Sequence, residues 1–143
     1  MNEVLSVLTG VEVNDPSAVI EQAWAGADIN TTGYIIKSQV VNSICDGTVI
    51  AVERDPKDNT WSVTIEINSQ KWIRYCNLSA TLMITGRDVT RFTIIGYANS
   101  GLMRLEYCTS AKSAFPVRIG KRQLYKQDPA PIIFGQETLS EVF

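Results

Sequence analysis

The 143-residue chain contains no histidine. That removes the Ser-His-Asp and Cys-His arrangements of nucleophilic catalysis and any zinc held through imidazole. Cysteine is scarce and odd in number: Cys45, Cys76 and Cys108 stand far apart with no C-x-x-C. Such spacing excludes a closed thiolate zinc site or a redox pair and fits buried free thiols. No block of like charge exists, with 13 Lys and Arg against 15 Asp and Glu. A nucleic-acid partner is therefore not expected, because phosphate binding needs a basic stripe. Long apolar runs are missing as well. The longest, around "VNSICDGTVIAV", falls short of the ~20 residues that cross a bilayer, so no membrane span is expected. The start, "MNEVLSVLTGVEVNDPS", lacks the basic and apolar regions of a secretory signal, so synthesis in a cytoplasm is expected. No P-loop, G-x-G-x-x-G or S-x-x-K is present.

What is there is an apolar content of 45%, enough for the core of one domain. In "NDPSAVIEQAWAGAD" the order Asp15-Pro16 reads as a helix cap and first turn, and predicts a short helix between Asn14 and Ala27 that ends near Gly26. From Tyr34 the texture becomes β-branched and aromatic. "GTVIAVERD" and "TWSVTIEIN" alternate and flank the turn cluster "DPKDN", which predicts a hairpin. "KWIRYCNL", "FTIIGYA", "LMRLEYC" and "FPVRIG" extend the series through the turns "NSQ" and "NSG". The expected fold is mainly β, an antiparallel sheet or small sandwich with a short N-terminal helix and extended termini. Residues 1–32 are expected to form an N-terminal arm with the helix, 33–125 the β domain, and 126–143 a tail that runs over the surface or onto a neighbour. Ile65, Ile67, Ile73, Ile94 and Leu105 are assigned inward, and Glu66, Arg74 and Arg104 outward or toward a groove. Glu53, Glu66 and Glu106 are the formal candidates for a carboxylate pair, but acidic residues alternating on a strand are expected to be solvated. The three tryptophans Trp24, Trp61 and Trp72, with Tyr34, Tyr75, Tyr97 and Tyr107, read as sheet-packing aromatics ahead of groove-lining ones.

The order of short motifs from Asp46 to Tyr107 resembles the lysostaphin-like, or LytM-like, peptidoglycan endopeptidases. The carriers are Asp46-Gly47-Thr48-Val49 for "D-G-x-V", Tyr75-Cys76-Asn77-Leu78 for "Y-x-H-L", and Gly86-Arg87-Asp88-Val89 for the opening of "G-x-x-V-x-x-G". They continue with Ile94-Ile95-Gly96, the Asn99-Ser100-Gly101 turn, and Leu102-Met103-Arg104-Leu105-Glu106 for "H-L-H-F-E". The second glycine of "G-x-x-V-x-x-G" is replaced by Phe92 or Thr93. The resemblance implies the endopeptidase fold and, in intact members, a zinc held by two histidines and an aspartate. Here Asn77, Leu102 and Arg104 stand at histidine positions. The "H-x-x-x-D" element falls on Trp24-Ala25-Gly26-Ala27-Asp28, of which Asp28 alone is kept.

Arginine has no lone pair to give a metal, so the resemblance implies a remnant groove at Asp28, Asn77, Leu102 and Arg104, with no metal, cofactor or catalytic residue. Asp28 and Arg104 are expected either to bridge the vacated space or to remain ordinary surface residues. Asn77 either bonds across the groove or ends its strand. The expected function is a non-catalytic structural or assembly protein on this scaffold, in a bacteriophage tail or baseplate, oligomeric and paired with other virion proteins. The alternative is a LytM-like regulator of a cell-wall amidase, or a peptidoglycan-binding domain.

Overall fold

The computed structural model describes residues 1–135. Its first element is helix α1 (Glu3–Thr9). Asn2 caps it by accepting from the Leu5 amide at 2.9 Å, and Gly10 ends it at φ 74°, a left-handed conformation that glycine adopts without strain. Leu5 and Leu8 on its inner face are completely buried in the main core. The helix expected between Asn14 and Ala27 is absent. Asp15 does cap a turn, accepting from the Ser17 amide at 3.0 Å, but that turn is only the 3-10 segment Pro16–Ala18. The chain then enters strand β1 (Ile20–Gln22), which pairs with β2 (Tyr34–Lys37). The β-branched Val19 and Ile20 gain more from that pairing than a cap and a proline give a helix.

The remaining strands are β3 (Val40–Asn42), β4 (Gly47–Asp55), β5 (Thr60–Asn68), β6 (Lys71–Thr81), β7 (Asp88–Val89), β8 (Ile94–Ala98), β9 (Leu102–Thr109), β10 (Pro116–Ile119) and β11 (Arg122–Gln127), followed by the single turn of helix α2 (Ala130–Ile133). All strand pairings are antiparallel within one sheet, whose main path runs β1-β2-β9-β6-β5-β4-β7. The expected hairpin is β4 and β5. Its turn is closed by the Asn59 amide on the Asp55 carbonyl at 2.8 Å and the Lys57 amide on the Asp55 carboxylate at 2.9 Å. Two long strands each change partner along their length. β6 gives Lys71–Cys76 to β9 and Leu78–Thr81 to β8, and β9 gives Leu102–Leu105 to β2 and Tyr107–Thr109 to β11.

Alternation divides the residues of these strands between two faces. Val63, Ile65, Ile73, Tyr75, Met103 and Leu105 face the main core, where Leu5, Leu8, Ile132 and Ile133 also pack. Ile65, Ile73 and Leu105 thus lie where the sequence pattern puts them. Ile94 does not. It is 47% exposed while Ile95 is buried, because the pairing of β3 with β8 shifts register between Val41 and Asn42. On the opposite face Trp72, Cys108 and Ala51 meet Ile119 and Leu124 of the β10–β11 hairpin in a second cluster. The rest of that face is open.

Residues 1–32, expected as an arm, deliver Leu5, Leu8 and Val13 to the core. The tail from residue 126 begins inside β11 and places Ile132 and Ile133 in the core, tied to the N-terminus by Asn2 Nδ2 donating to the Ile133 carbonyl at 2.9 Å. The rest of the tail, residues 136–143, lies outside the described residues. The seven aromatics are chiefly packing residues. Trp72 and Tyr75 are completely buried, Tyr34 and Tyr107 nearly so, and Trp24 meets Phe115 edge to face at 5.7 Å. Tyr97 is exposed, and none of the seven lines the groove described below.

Phe92 stands where the resemblance calls for glycine, and its φ is 76°. A left-handed backbone conformation thus carries a bulky side chain, 61% exposed, with the Arg91 guanidinium 5.5 Å from the ring centre. Phe92→Gly is therefore expected to raise stability by about 1 kcal/mol through relief of left-handed strain, less the entropy that glycine gives the unfolded chain. The urea midpoint checks this, and a lower midpoint for the glycine variant would contradict it.

Candidate functional site

The open part of the sheet's outer face is a groove of about 460 Å³, lined by residues of β2, β4, β5, β6 and β9 and the β4–β5 turn. Its floor follows from register. Arg74 of β6 lies opposite Glu106 of β9, Cys76 opposite Arg104, and Arg104 opposite Ile35 of β2. Residues two apart on a strand share a face, so Arg74, Cys76, Arg104 and Glu106 project to the same side.

Glu106 is the centre of this floor and is completely buried. Arg74 Nη1 donates to its Oε1 at 2.6 Å; on Oε2 it pairs with Arg104 Nε at 3.1 Å and Lys126 Nζ at 2.9 Å. Lys126 is itself buried and also donates to the Thr32 hydroxyl at 3.2 Å. Burial by itself pushes the Glu106 carboxyl up, but Arg74, Lys126 and Arg104 together outweigh it and hold the group below its ordinary 4.5. Glu106 is therefore an ionised structural counter-charge and not the solvated strand acid expected from alternation. Glu53 sits farther out, its Oε1 4.0 Å from Arg74 Nη2.

Three of the four positions assigned to the remnant groove are in it: Asn77, Leu102 and Arg104. Asn77 bonds across the groove, with Nδ2 donating to the Leu102 carbonyl at 2.8 Å. It does not end its strand, which continues to Thr81; its φ of 63° bends the chain where β6 passes from β9 to β8. Asp28 is not among the lining residues. It caps the 3-10 turn Ile29–Thr31, accepting from the Asn30 amide at 2.8 Å, and Arg104 takes Glu106 as its partner. Of the two fates open to Asp28 and Arg104, the bridge across the groove does not form. The residue that reaches the groove from this part of the chain is Ile35.

Among the described residues no group of three or more Cys, Asp or Glu side chains is arranged to hold a metal ion. The cysteines are buried and unpaired. Burial pushes the Cys45 and Cys108 thiols up to about 12, and raises Cys76, where the Glu106 charge adds to it. All three are protonated at neutral pH and poor nucleophiles or ligands. Sequence reasoning missed Glu106, Arg74 and Lys126 as a unit. The signal was present for Arg74 and Glu106, in two charged residues on neighbouring strands whose flanks are all apolar.

No protein-family model matches the chain, and no curated protein matches it in sequence. Solved structures do match. LytU superposes with a TM-score of 0.62 at 17% identity, over 87% of this chain and 90% of that one. Lysostaphin gives 0.59 at 16%, over 80% of this chain and 48% of its own length. This is the lysostaphin-like fold. A chain of the SpoIIQ–SpoIIIAH pore-forming complex also superposes, with a TM-score of 0.56 at 16% identity over 85% of this chain and 78% of that chain. The chain spans about half the length of lysostaphin, and 27% of Helicobacter pylori Csd3. At these identities the likeness concerns the lysostaphin-like fold. Within that fold the groove of this chain is floored by three cations around one carboxylate.

Proposed function

We propose that this chain is a non-catalytic binding and assembly domain on a lysostaphin-like scaffold. The observation that carries the reading is the groove floor. Arg104, at a histidine position of the resemblance, is a permanent cation already paired with Glu106, while Asn77 is spent on the Leu102 carbonyl and Leu102 and Ile35 are hydrocarbon. Arg104, Leu102 and Ile35 have no lone pair to give a Lewis-acid metal, and the neutral amide of Asn77 is no general base. The groove itself is kept, and a shaped groove without catalytic groups still binds.

An assembly role has support in the likeness to a chain of the SpoIIQ–SpoIIIAH pore-forming complex. Residence in a virion, as an oligomeric tail or baseplate component among other virion proteins, is the narrower form of the proposal. Its support is the histidine-free scaffold, since residues 1–32, expected as an arm, are folded onto the chain's own core. Regulation of a cell-wall amidase, or peptidoglycan binding, is the second reading, and the open groove favours it.

The test incubates the purified chain with isolated cell walls and with purified phage particles, in the presence of zinc. The expected outcome is release of no soluble fragments, together with co-sedimentation with one of the two. Zinc-dependent release of fragments, or a chain that sediments alone from both mixtures, would overturn the proposal.

A further inference from the structure

We infer that the groove is a carboxylate-binding site whose anchor is Arg104 and whose ligand is a peptide bearing one free carboxylate. The inference rests on the non-catalytic reading above, since it gives the groove a guanidinium where that reading denies it a metal.

The charges on the groove floor do not balance. Arg74, Arg104 and Lys126 face Glu106 and Glu53, three cations against two carboxylates. Lys126 and Glu106 are buried beneath the groove, so the surplus positive charge is presented by the two arginines that line it. Arg104 engages Glu106 through Nε. Among the described residues its ion-pair partner is Glu106, and its side chain is 36% exposed with Cys76 beside it. The Nε of Arg104 and the Nε of Arg74 beside it are both buried without a hydrogen-bond partner, so the contact of Arg104 with Glu106 is an ion pair and not a hydrogen bond. A guanidinium held by an ion pair on its Nε side presents its terminal N–H groups as a planar fork, the shape that a carboxylate accepts with two parallel hydrogen bonds.

The rest of the lining selects further. Ile35 and Leu102 give the Arg104 end an apolar wall for a side chain next to the carboxylate. On the β4–β5 side of the groove Asp55 and Asp58 are committed to their own turn, Asp55 accepting from the Lys57 amide and Asp58 from the Thr60 amide and hydroxyl. Arg54 is likewise committed, donating from Nε to Asn59 Oδ1 at 2.5 Å. The two aspartates repel any ligand that carries more than the one negative charge the floor can neutralise. A phosphate, with a charge between one and two at neutral pH and tetrahedral oxygens, fits worse than a planar monoanion on both counts.

The experiment is an amide-resonance titration of the full chain with four probes: acetyl-alanyl-alanine with a free C-terminal carboxylate, the same dipeptide as its amide, acetyl-Ala-Glu-Ala-amide, and inorganic phosphate. The free-acid dipeptide or the glutamate peptide is expected to shift the resonances of Ile35, Asn77 and Leu102 to Arg104 and to saturate. The tighter of the two tells whether the carboxylate is a chain terminus or a side chain. The amide dipeptide and phosphate are expected to bind at least about tenfold more weakly. Arg104→Gln should lose the response by a similar factor, and Arg104→Lys, which keeps a cation beside Glu106, should recover part of it. The four-probe comparison needs no variant, so a poorly folding Arg104→Gln leaves the test intact. Equal shifts from the free acid and its amide, tighter phosphate binding, or no shift from either carboxylate peptide would overturn the inference. Fragment release from cell walls with zinc would instead overturn the reading beneath it.

Discussion

Glu106→Gln is expected to lower the unfolding free energy by about 3–5 kcal/mol, a large share of what a domain of this size holds. The replacement has nearly the same shape, so packing is not the cause. Removing the carboxylate charge leaves Lys126, with a side chain 6% exposed, without a counter-ion, and Arg74, at 14%, with only the more distant Glu53. The cost is the desolvation of those cations, which the Glu106 charge offsets in the native chain. The same residue sets a pH dependence. Because the folded carboxyl titrates below its ordinary 4.5, the unfolded chain takes up that proton first as the solution is acidified. The stability from Glu106 is thus fully present above about pH 5 and is lost as pH falls through 4.5 toward the folded value. Urea midpoints from pH 7 down to pH 3 should show wild type and Glu106→Gln far apart at neutral pH and converging in acid. A gap that does not change with pH would mean that the ion pairs are not what stabilises this floor.

Trp72→Ala should cost about 3–5 kcal/mol, for a different reason. Trp72 is completely buried between the sheet and the C-terminal hairpin, packed with Cys108, Ile119 and Leu124. Its indole nitrogen donates to Glu66 Oε2 at 2.9 Å, and the Arg122 guanidinium lies 4.6 Å from its ring centre. This second cluster is small, so no neighbouring side chain can fill the space left behind. The loss should appear as a lower melting temperature and as faster hydrogen exchange in β10 and β11, the elements that dock through this ring. The β4–β5 hairpin should keep its protection. A mild, evenly spread destabilisation would show that the hairpin is held elsewhere.

The β4–β5 hairpin and strands β6 and β9 were legible because their apolar residues alternate and their turns carry Asp, Asn, Pro or Gly. β11 was not. In "RQLYKQ" the inward positions are Leu124 and Lys126, and the lysine breaks the apolar alternation because its partner is a buried carboxylate rather than a hydrocarbon. The seven residues of α1 were too few to show a periodicity, while Asp15-Pro16 gave a stronger helix signal to a segment that pairs as a strand. In the groove, motif order located Asn77, Leu102 and Arg104. Asp28 lies outside the groove because it precedes β2 and caps a 3-10 turn, while Ile35 within β2 is the residue that reaches it. Glu106 stayed hidden because alternation alone does not separate a solvated strand acid from a buried one, and only its match with Arg74 on the neighbouring strand, both between apolar residues, carries a signal.

The central claim is that a guanidinium–carboxylate network occupies the groove where the resemblance puts metal ligands. Calorimetric titration of the full chain with zinc, at neutral pH and with the cysteines reduced, tests it most directly. The account predicts no saturable binding and no change in the melting temperature with zinc. Saturation at one zinc per chain, weakened by Asn77→Ala or Arg104→Gln, would contradict it.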